Sequence, residues 1–271
     1  MKRIIYFAAA LLMAMACGQN KAEKVLVLYY SQTSNTETVA ELIKDYLGAD
    51  VEQVLPVVPY DGTYGETIAR GRDEMTSGNY PELQPLKVDV KDYDVVFLGF
   101  PVWFGTYANP IETLLNTVDF NGKKVVPFCT FGSGGLDTSS KAIAQKLAGA
   151  QVLPGYGVRA ARIDAAAVEV ERFLKANGYM EGETTALEPF SETVVVTEEQ
   201  SAIFDAAVKD YAMISAKAEE VAFRPVPEGM EYLFTASELP RNPEFQGETK
   251  TMKVYVLVEN GKDPVFTQVC R

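Results

Sequence analysis

Histidine is absent from this chain of 271 residues. Its absence excludes Ser-His-Asp and Cys-His catalysis and argues against a transition-metal site, because histidine is the usual base in the former and the commonest ligand in the latter. Cysteine is scarce too, since Cys17, Cys129 and Cys270 are too few and too far apart for a disulfide framework. Cys129 lies in an apolar run, where we expect a small buried side chain. Any chemistry is therefore expected to come from a cofactor.

Basic residues are also fewer than acidic residues. The chain has 25 Lys and Arg against 37 Asp and Glu, a formal net charge of −12. This balance argues against nucleic-acid binding, and it fits either a cationic partner or a role in solubility alone. Apolar residues make up 47% of the chain, which is ample for one large or two small domains.

The first residues have the pattern of a targeting segment. Lys2 and Arg3 precede an apolar stretch, 4–15, that is too short to span a bilayer comfortably, and small residues lead to Cys17. The segment resembles a bacterial lipoprotein signal peptide, and 1–23 is expected to be signal peptide and tether. The mature protein would begin at a lipidated Cys17 and would be exported to the periplasm or cell envelope. An ordinary secretory peptide with a coincidental cysteine is the alternative.

The stretch KVLVLYYSQTSNTETVA, residues 24–40, predicts a buried strand, a polar loop and the start of a helix. A helix N-terminus with added hydroxyl donors can bind phosphate. No Lys or Arg occurs in 25–43, so neutral groups would hold the anion. Neither GxGxxG nor GxxxxGKS/T is present, which argues against a dinucleotide-binding loop or a P-loop. Simple N-capping is the alternative, but a cap needs one such residue. The candidate phosphate-binding residues are Ser31, Thr33, Ser34, Asn35 and Thr36.

Strands and helices alternate from there to Gly178, which predicts a doubly wound α/β fold with a parallel sheet. The predicted strands after the first are 51–56, 95–99, 124–130 and a short fifth strand flanked by 151–153 and 157–158. The predicted helices after the first are 64–75, 110–118, 138–148 and 164–177.

Two further loops follow predicted strands, and ligands bind at the carboxyl ends of strands in such folds. One contains the only tryptophan, which could form a wall for a planar ring or merely close the core. The other is rich in glycine, which permits close backbone approach but on its own indicates only a turn. The candidate ring-binding residues are Pro101, Val102, Trp103, Phe104, Gly105, Thr130, Phe131, Gly132, Ser133, Gly134 and Gly135.

The order Ser31-x-Thr33-x-Asn35-Thr36 after a buried strand resembles the FMN phosphate loop of the flavodoxin family. The other two loops resemble the loops that flank the flavin ring, and the resemblance covers 24–178. It implies a five-stranded parallel sheet of order 2-1-3-4-5, non-covalent FMN and electron transfer. Many members have a histidine where Phe131 stands, so binding and electron transfer are favoured over a proton relay.

A second part of the resemblance concerns 60–81, where Tyr64, Arg70, Glu74 and Pro81 match residues that we interpret as structural.

A polar linker, 179–193, precedes a predicted small α+β domain over 194–271. We expect one long amphipathic helix, 198–223, followed by strands 230–236, 251–258 and 265–269. Their order resembles the cystatin-like fold, without its Gln-x-Val-x-Gly inhibitory loop. A docking or structural role is therefore expected, and protease inhibition is not.

The leading hypothesis is an exported, lipid-anchored protein that binds FMN and exchanges electrons with a redox protein or a small acceptor. Its only membrane attachment would be the lipid, and no nucleic-acid partner is expected. One alternative is an FMN-dependent NAD(P)H:quinone or nitro reductase, although nothing in the sequence indicates a nicotinamide site. The other is a binding module without flavin.

Overall fold

The computed structural model describes residues 23–184, 187–239 and 250–271. The predicted signal peptide with Cys17 lies outside these residues. The strands are β1 Val25–Tyr29, β2 Asp50–Gln53, β3 Val95–Trp103, β4 Thr106–Tyr107, β5 Lys124–Phe131, β6 Gln151–Val152, β7 Tyr156–Arg159, β8 Val194–Val195, β9 Ala216–Val226, β10 Gly229–Glu238, β11 Thr251–Glu259 and β12 Val265–Cys270. The α-helices are α1 Asn35–Leu47, α2 Tyr64–Ser77, α3 Asn109–Thr117, α4 Leu136–Lys146, α5 Ala166–Ala176 and α6 Glu198–Val208.

The first sheet is parallel in the order β2-β1-β3-β5-β6. Strand β7 also pairs with β5 in parallel, so the predicted fifth strand is present in two pieces. The short strand β4 folds back antiparallel on the end of β3. The predicted α/β class is confirmed. The predicted order 2-1-3-4-5 is confirmed too, with β5 as the predicted fourth strand and β6 and β7 as the two pieces of the fifth.

Strand β1 shows why the apolar run forms the centre of this sheet. Leu26 and Leu28 pack into the core on one face, whereas Val27 and Tyr29 pack into the core on the other. A strand that is covered on both faces needs an unbroken apolar run. The hydroxyl-rich loop begins where β1 ends, so the loop lies at the carboxyl edge of the sheet.

The helices of this part begin and end close to the predicted positions. Helix α2 starts at a capping box, in which Thr63 accepts from the Glu66 amide and the Glu66 carboxylate accepts from the Thr63 amide. Helix α5 is preceded by a 3₁₀ segment, Ala160–Ala165, so its α-helical part starts two residues later than predicted.

The C-terminal part is α+β as predicted, but the long helix 198–223 is wrong. Helix α6 ends at Val208, and 216–226 forms strand β9, which pairs with β10. The Ala- and Glu-rich stretch favours helix locally. It forms a strand because Val221 pairs with Phe234 and Ala222 pairs with Leu233 of β10. The side chains of Val221 and Ala222 are buried in this arrangement. The other three strands are confirmed, and the cystatin-like resemblance stays a prediction.

The second sheet is antiparallel in the order β12-β11-β10-β9-β8. Helix α6 packs on one face, where Phe204 contacts Phe234 with 5.3 Å between ring centroids. Strand β12 is the edge strand that faces the parallel sheet. The proposed domain limits of 178 and 194 stay predictions. None of the helices in the described ranges is both long and apolar enough to cross a membrane.

Candidate functional site

Three loops meet at the carboxyl edge of the parallel sheet and enclose a cavity of about 550 Å³. The first follows β1. The other two include the ends of β3 and β5, because these strands run to Trp103 and Phe131 and not to the predicted 99 and 130. The cavity is lined by Gln32, Thr33, Asn35, Tyr64, Thr67, Ile68, Arg72, Pro101, Val102, Trp103, Phe104, Thr130, Phe131, Gly132 and Ala160.

Each predicted loop contributes to this lining, but not every predicted residue does. Those that line the cavity are Thr33, Asn35, Pro101, Val102, Trp103, Phe104, Thr130, Phe131 and Gly132. Those that belong to the same loops but lie outside the lining are Ser31, Ser34, Thr36, Gly105, Ser133, Gly134 and Gly135. The structure therefore brings together the three loops, which are far apart in sequence, around one cavity.

The N-terminus of α1 has the properties of an anion site. Its cap residue Ser34 is left-handed, with φ 61°, and makes no side-chain capping hydrogen bond. The Glu37 amide donates to Ser31 Oγ at 3.3 Å. The amides of Asn35 and Thr36 belong to the first turn, where no intrahelical acceptor exists. Neutral donors with the positive end of the helix dipole thus face the loop.

Thr36 has a different position from the other hydroxyl residues. Its side chain is buried, and its Oγ1 lies 2.8 Å from Thr130 Oγ1. This hydrogen bond joins the loop after β1 to the loop after β5. The two loops are therefore held in a fixed relation at the floor of the cavity.

Trp103 is held by two tyrosines. Its ring packs edge-on against Tyr30 and Tyr60, with centroid distances of 5.8 and 5.0 Å. The Tyr60 hydroxyl donates to Glu74, and the Arg70 guanidinium lies 3.8 Å from the Tyr60 ring centroid. Burial raises the pKa of Tyr60, and the hydrogen bond to Glu74 raises it further, so this phenol is neutral. Trp103 can thus present a fixed aromatic surface to the cavity.

The loop after Trp103 is strained at one position. Phe104 has φ 51°, a conformation that is costly for a side chain of this size, and its ring is partly exposed. Gly105 follows with φ 88° and has no Cβ to oppose it. This turn leaves the Phe104 ring at the wall of the cavity.

The prediction missed the contribution of helix α2. Tyr64, Ile68 and Arg72 all line the cavity, and Tyr64, interpreted above as structural, is 84% exposed at its mouth. Their spacing of four residues places them on one helix face, but only the packing of α2 decides that this face borders the cavity. Arg72 is the only charged side chain in the lining that the described residues provide. Arg70 pairs with Glu74, and the Pro81 carbonyl accepts from Thr113 Oγ1; their interpretation as structural residues stays a prediction.

The buried thiol near the site is not a candidate nucleophile. Cys129 lies on β5, is fully buried, and has its pKa raised by that burial. A thiol of this kind stays protonated at neutral pH and does not attack a substrate. Phe131 is also buried, and it offers no exchangeable proton.

Comparison with known proteins gives one family. The family model described as Flavodoxin matches residues 24–169. A flavodoxin of Nostoc sp. is 32% identical over 113 residues, which are 40% of this chain and 52% of that protein. Flavodoxin 1 of Salmonella typhimurium is 29% identical over 106 residues, or 38% of this chain and 46% of that protein. The chain thus spans about half the length of the curated relatives that it matches.

Similar solved structures each cover somewhat more than half of the chain. A protein of Bacteroides uniformis described as a candidate flavoprotein superposes with a TM-score of 0.50 at 26% identity, covering 56% of this chain and 99% of that one. A flavoprotein of Lactobacillus acidophilus, solved in complex with FMN, has a TM-score of 0.47 at 25% identity and covers 55% of this chain and 98% of that one.

Proposed function

This chain belongs to the flavodoxin family through residues 24–169, and on that premise we propose that it binds FMN non-covalently in the cavity and transfers electrons. One observation carries the proposal: the three candidate loops, separate in sequence, surround a single cavity at the carboxyl edge of the sheet. That edge is where ligands bind in doubly wound folds.

The donor set suits a phosphate group at one end of the cavity. Thr33 and Asn35 line that end, beside first-turn amides of α1 that have no intrahelical acceptor. A dianionic phosphate would then be held by neutral dipoles. Arg72 adds a positive charge to the lining near Phe104, with its guanidinium 5.9 Å from the centroid of that ring.

The remaining lining suits a planar, partly apolar ring system. Trp103 and Phe104 provide aromatic surface, and Thr130, Phe131 and Gly132 line the same cavity from the end of β5. The volume of about 550 Å³ lies in the range for a small-molecule site.

FMN would supply the redox change, whereas this chain binds and orients the cofactor. Tyr30, Tyr60 and Trp103 fix one wall, and the Thr36–Thr130 hydrogen bond fixes the floor. The cavity lining among the described residues includes no carboxylate, thiol or imidazole that could move a proton. Simple electron transfer is therefore favoured over a reductase activity that needs a side-chain acid.

We also propose export and a lipid anchor at Cys17, for the reasons given by the N-terminal segment. The partner would be a redox protein or a small electron acceptor outside the cytoplasm. The acidic surface favours a basic partner.

The test is the visible absorption spectrum of residues 20–271, purified and passed through gel filtration with and without added FMN. Flavin bands that stay with the protein are the expected result. A colourless protein that does not retain added FMN would contradict the proposal and favour a binding module without flavin. Oxidation of NADPH with a quinone acceptor would instead favour the reductase.

A further inference from the structure

The edge strand of the C-terminal sheet lies against the loop that follows β5. The Val269 amide, on the outer edge of β12, donates to the Ser133 carbonyl at 2.7 Å. At Gly134 the backbones are so close that a Cβ would lie 2.1 Å from the Val269 oxygen. Glycine is therefore required at position 134 by the neighbouring domain, and this requirement is separate from any cofactor contact.

Arg159 forms the second connection. It ends β7, where it pairs with Phe131 of β5. Its Nε donates to the Gly132 carbonyl and its Nη1 donates to the Phe266 carbonyl, each at 2.9 Å. The guanidinium also lies 3.5 Å from the centroid of the Phe266 ring. One side chain thus joins the cavity-lining loop to β12.

Tyr211, in the turn after α6, completes the contact. Its ring lies 5.0 Å from the Phe266 ring, and Arg159 lies 5.6 Å from the Tyr211 centroid. Its hydroxyl would be 3.5 Å from a Cβ at Gly132. The loop Gly132–Gly134 is therefore covered by the C-terminal part on the side away from the cavity.

This arrangement matters because the loop is rich in glycine. A chain with two glycines around Ser133 loses more conformational entropy on ordering than other sequences do. Contacts that order the loop before a ligand arrives remove that cost from the binding step and raise affinity. The contacts from β12 and Arg159 order the loop in this way.

We infer that Arg159 is a positioning residue of the cofactor site, and that it and β12 make FMN binding depend on the docked C-terminal domain. The inference rests on the proposed function, since it assumes that the cavity holds FMN. It assigns a role to the C-terminal domain, which supports the flavin loop, residues Gly132–Gly134. Because coupling between two sites is reciprocal, bound FMN must also stabilise the docking of this domain.

The test compares FMN affinity and the visible circular dichroism of bound flavin in the full-length protein, purified in detergent. Loss of two charge-assisted hydrogen bonds in Arg159→Met should raise the Kd for FMN about tenfold and change the flavin dichroism. Arg159→Lys, which cannot bridge both carbonyls with a planar fork, should recover only part of this loss.

Arg224→Met is the matched control. Arg224 also lies over an aromatic ring, Phe190, at 4.3 Å, and pairs with Glu231, but it has no contact with the flavin loop. This variant should bind FMN as the unaltered protein does. Val269→Pro is the second variant. It removes the amide that donates to Ser133 on the edge of β12 away from β11, where no hydrogen bond of the sheet is lost.

The outcomes separate the two proposals. If the unaltered protein does not bind FMN, both proposals are overturned. If it binds FMN and Arg159→Met and Val269→Pro bind with the same affinity and dichroism, only the inference is overturned. Equal weakening in Arg224→Met would overturn the specific role of Arg159, since the effect would then be general destabilisation of the C-terminal domain.

Discussion

Single hydroxyl groups decide how the candidate site can hold an anion, because the loop after β1 has no basic residue. Two of these hydroxyl groups differ in position and in the contacts that they make. Thr33 lines the cavity, whereas Thr36 is buried and bonds Thr130. The first can contact a phosphate directly, and the second holds the two loops together.

Replacement of Thr33 and Thr36 together with valine should weaken FMN binding at least about tenfold, since two hydrogen bonds of ~1 kcal/mol each are lost. The measurement is a titration followed by the fluorescence of free FMN. Thr38→Val is the control, because that hydroxyl bonds the Ser34 carbonyl on the exposed side of the same helix. Unchanged affinity in the double variant would refute the phosphate assignment.

Other residues of the site show what local sequence does not reveal. Arg72 has no neighbouring motif, and it reaches the cavity only because α2 borders the cavity at the carboxyl edge of the sheet. Arg159 likewise lies at the end of a short strand, without a pattern that indicates its bond to Gly132. Both contacts depend on how distant elements pack.

At the scale of the elements, one buried carboxylate joins α2 to its neighbours. Glu74 is 8% exposed and accepts hydrogen bonds from Tyr60, from Arg70 Nε at 2.8 Å and from Asn109 Nδ2 at 2.8 Å. It thereby joins α2 to the start of α3 and to the tyrosine that supports Trp103.

The variant Glu74→Ala should lower the free energy of unfolding by about 3 kcal/mol, because Arg70 and Asn109 lose a buried partner. Urea denaturation followed by circular dichroism measures the change. Asp73→Ala, one position earlier and exposed on the same helix, is the control and should change stability by less than about 0.5 kcal/mol. Equal effects of the two substitutions would contradict this account of Glu74.

The elements also differ in how well their sequence predicts them. Helix α2 is predicted from its helical spacing to within two residues of its observed end, and the structure adds a capping box and a terminal glycine that fix its limits locally. Strand β9 is predicted wrongly because its Ala- and Glu-rich residues favour helix, and only the pairing with β10 makes them a strand. Where a local sequence is compatible with both helix and strand, pairing with a neighbouring strand decides which of the two forms.

For the whole molecule, net charge governs how partners approach. The chain has a formal charge of −12, so its long-range field attracts cations and repels anions. This field is screened by salt, with a Debye length of about 10 Å at 0.1 M ionic strength.

Electron transfer from the reduced flavoprotein to a basic cytochrome c, used as a probe, should slow on the order of tenfold as ionic strength rises from 0.01 to 0.3 M. Stopped-flow absorbance measures the rate. A small neutral quinone, which the field does not steer, serves as the control acceptor and should show little dependence on salt. A rate with cytochrome c that does not change with salt would rule out electrostatic steering.

Most of the first domain could be predicted, because its signals are local. The apolar run of β1, the helical spacing after it and the loops at the ends of β3 and β5 each occupy a short stretch of sequence. The carboxyl ends of parallel strands share one edge, so these short signals also located the candidate site. The strand order came from the family resemblance, which the sheet confirms.

The sequence by itself determined the α/β class and the three loops, since strand, loop and helix succeed one another within a few residues. Only the tertiary structure placed Tyr64 and Arg72 in the cavity, turned 216–226 into a strand, and set β12 against the flavin loop. Those features join residues that are distant in the chain, and their free energy comes from packing and pairing between elements. No local pattern encodes such contacts, because each partner alone is compatible with several structures.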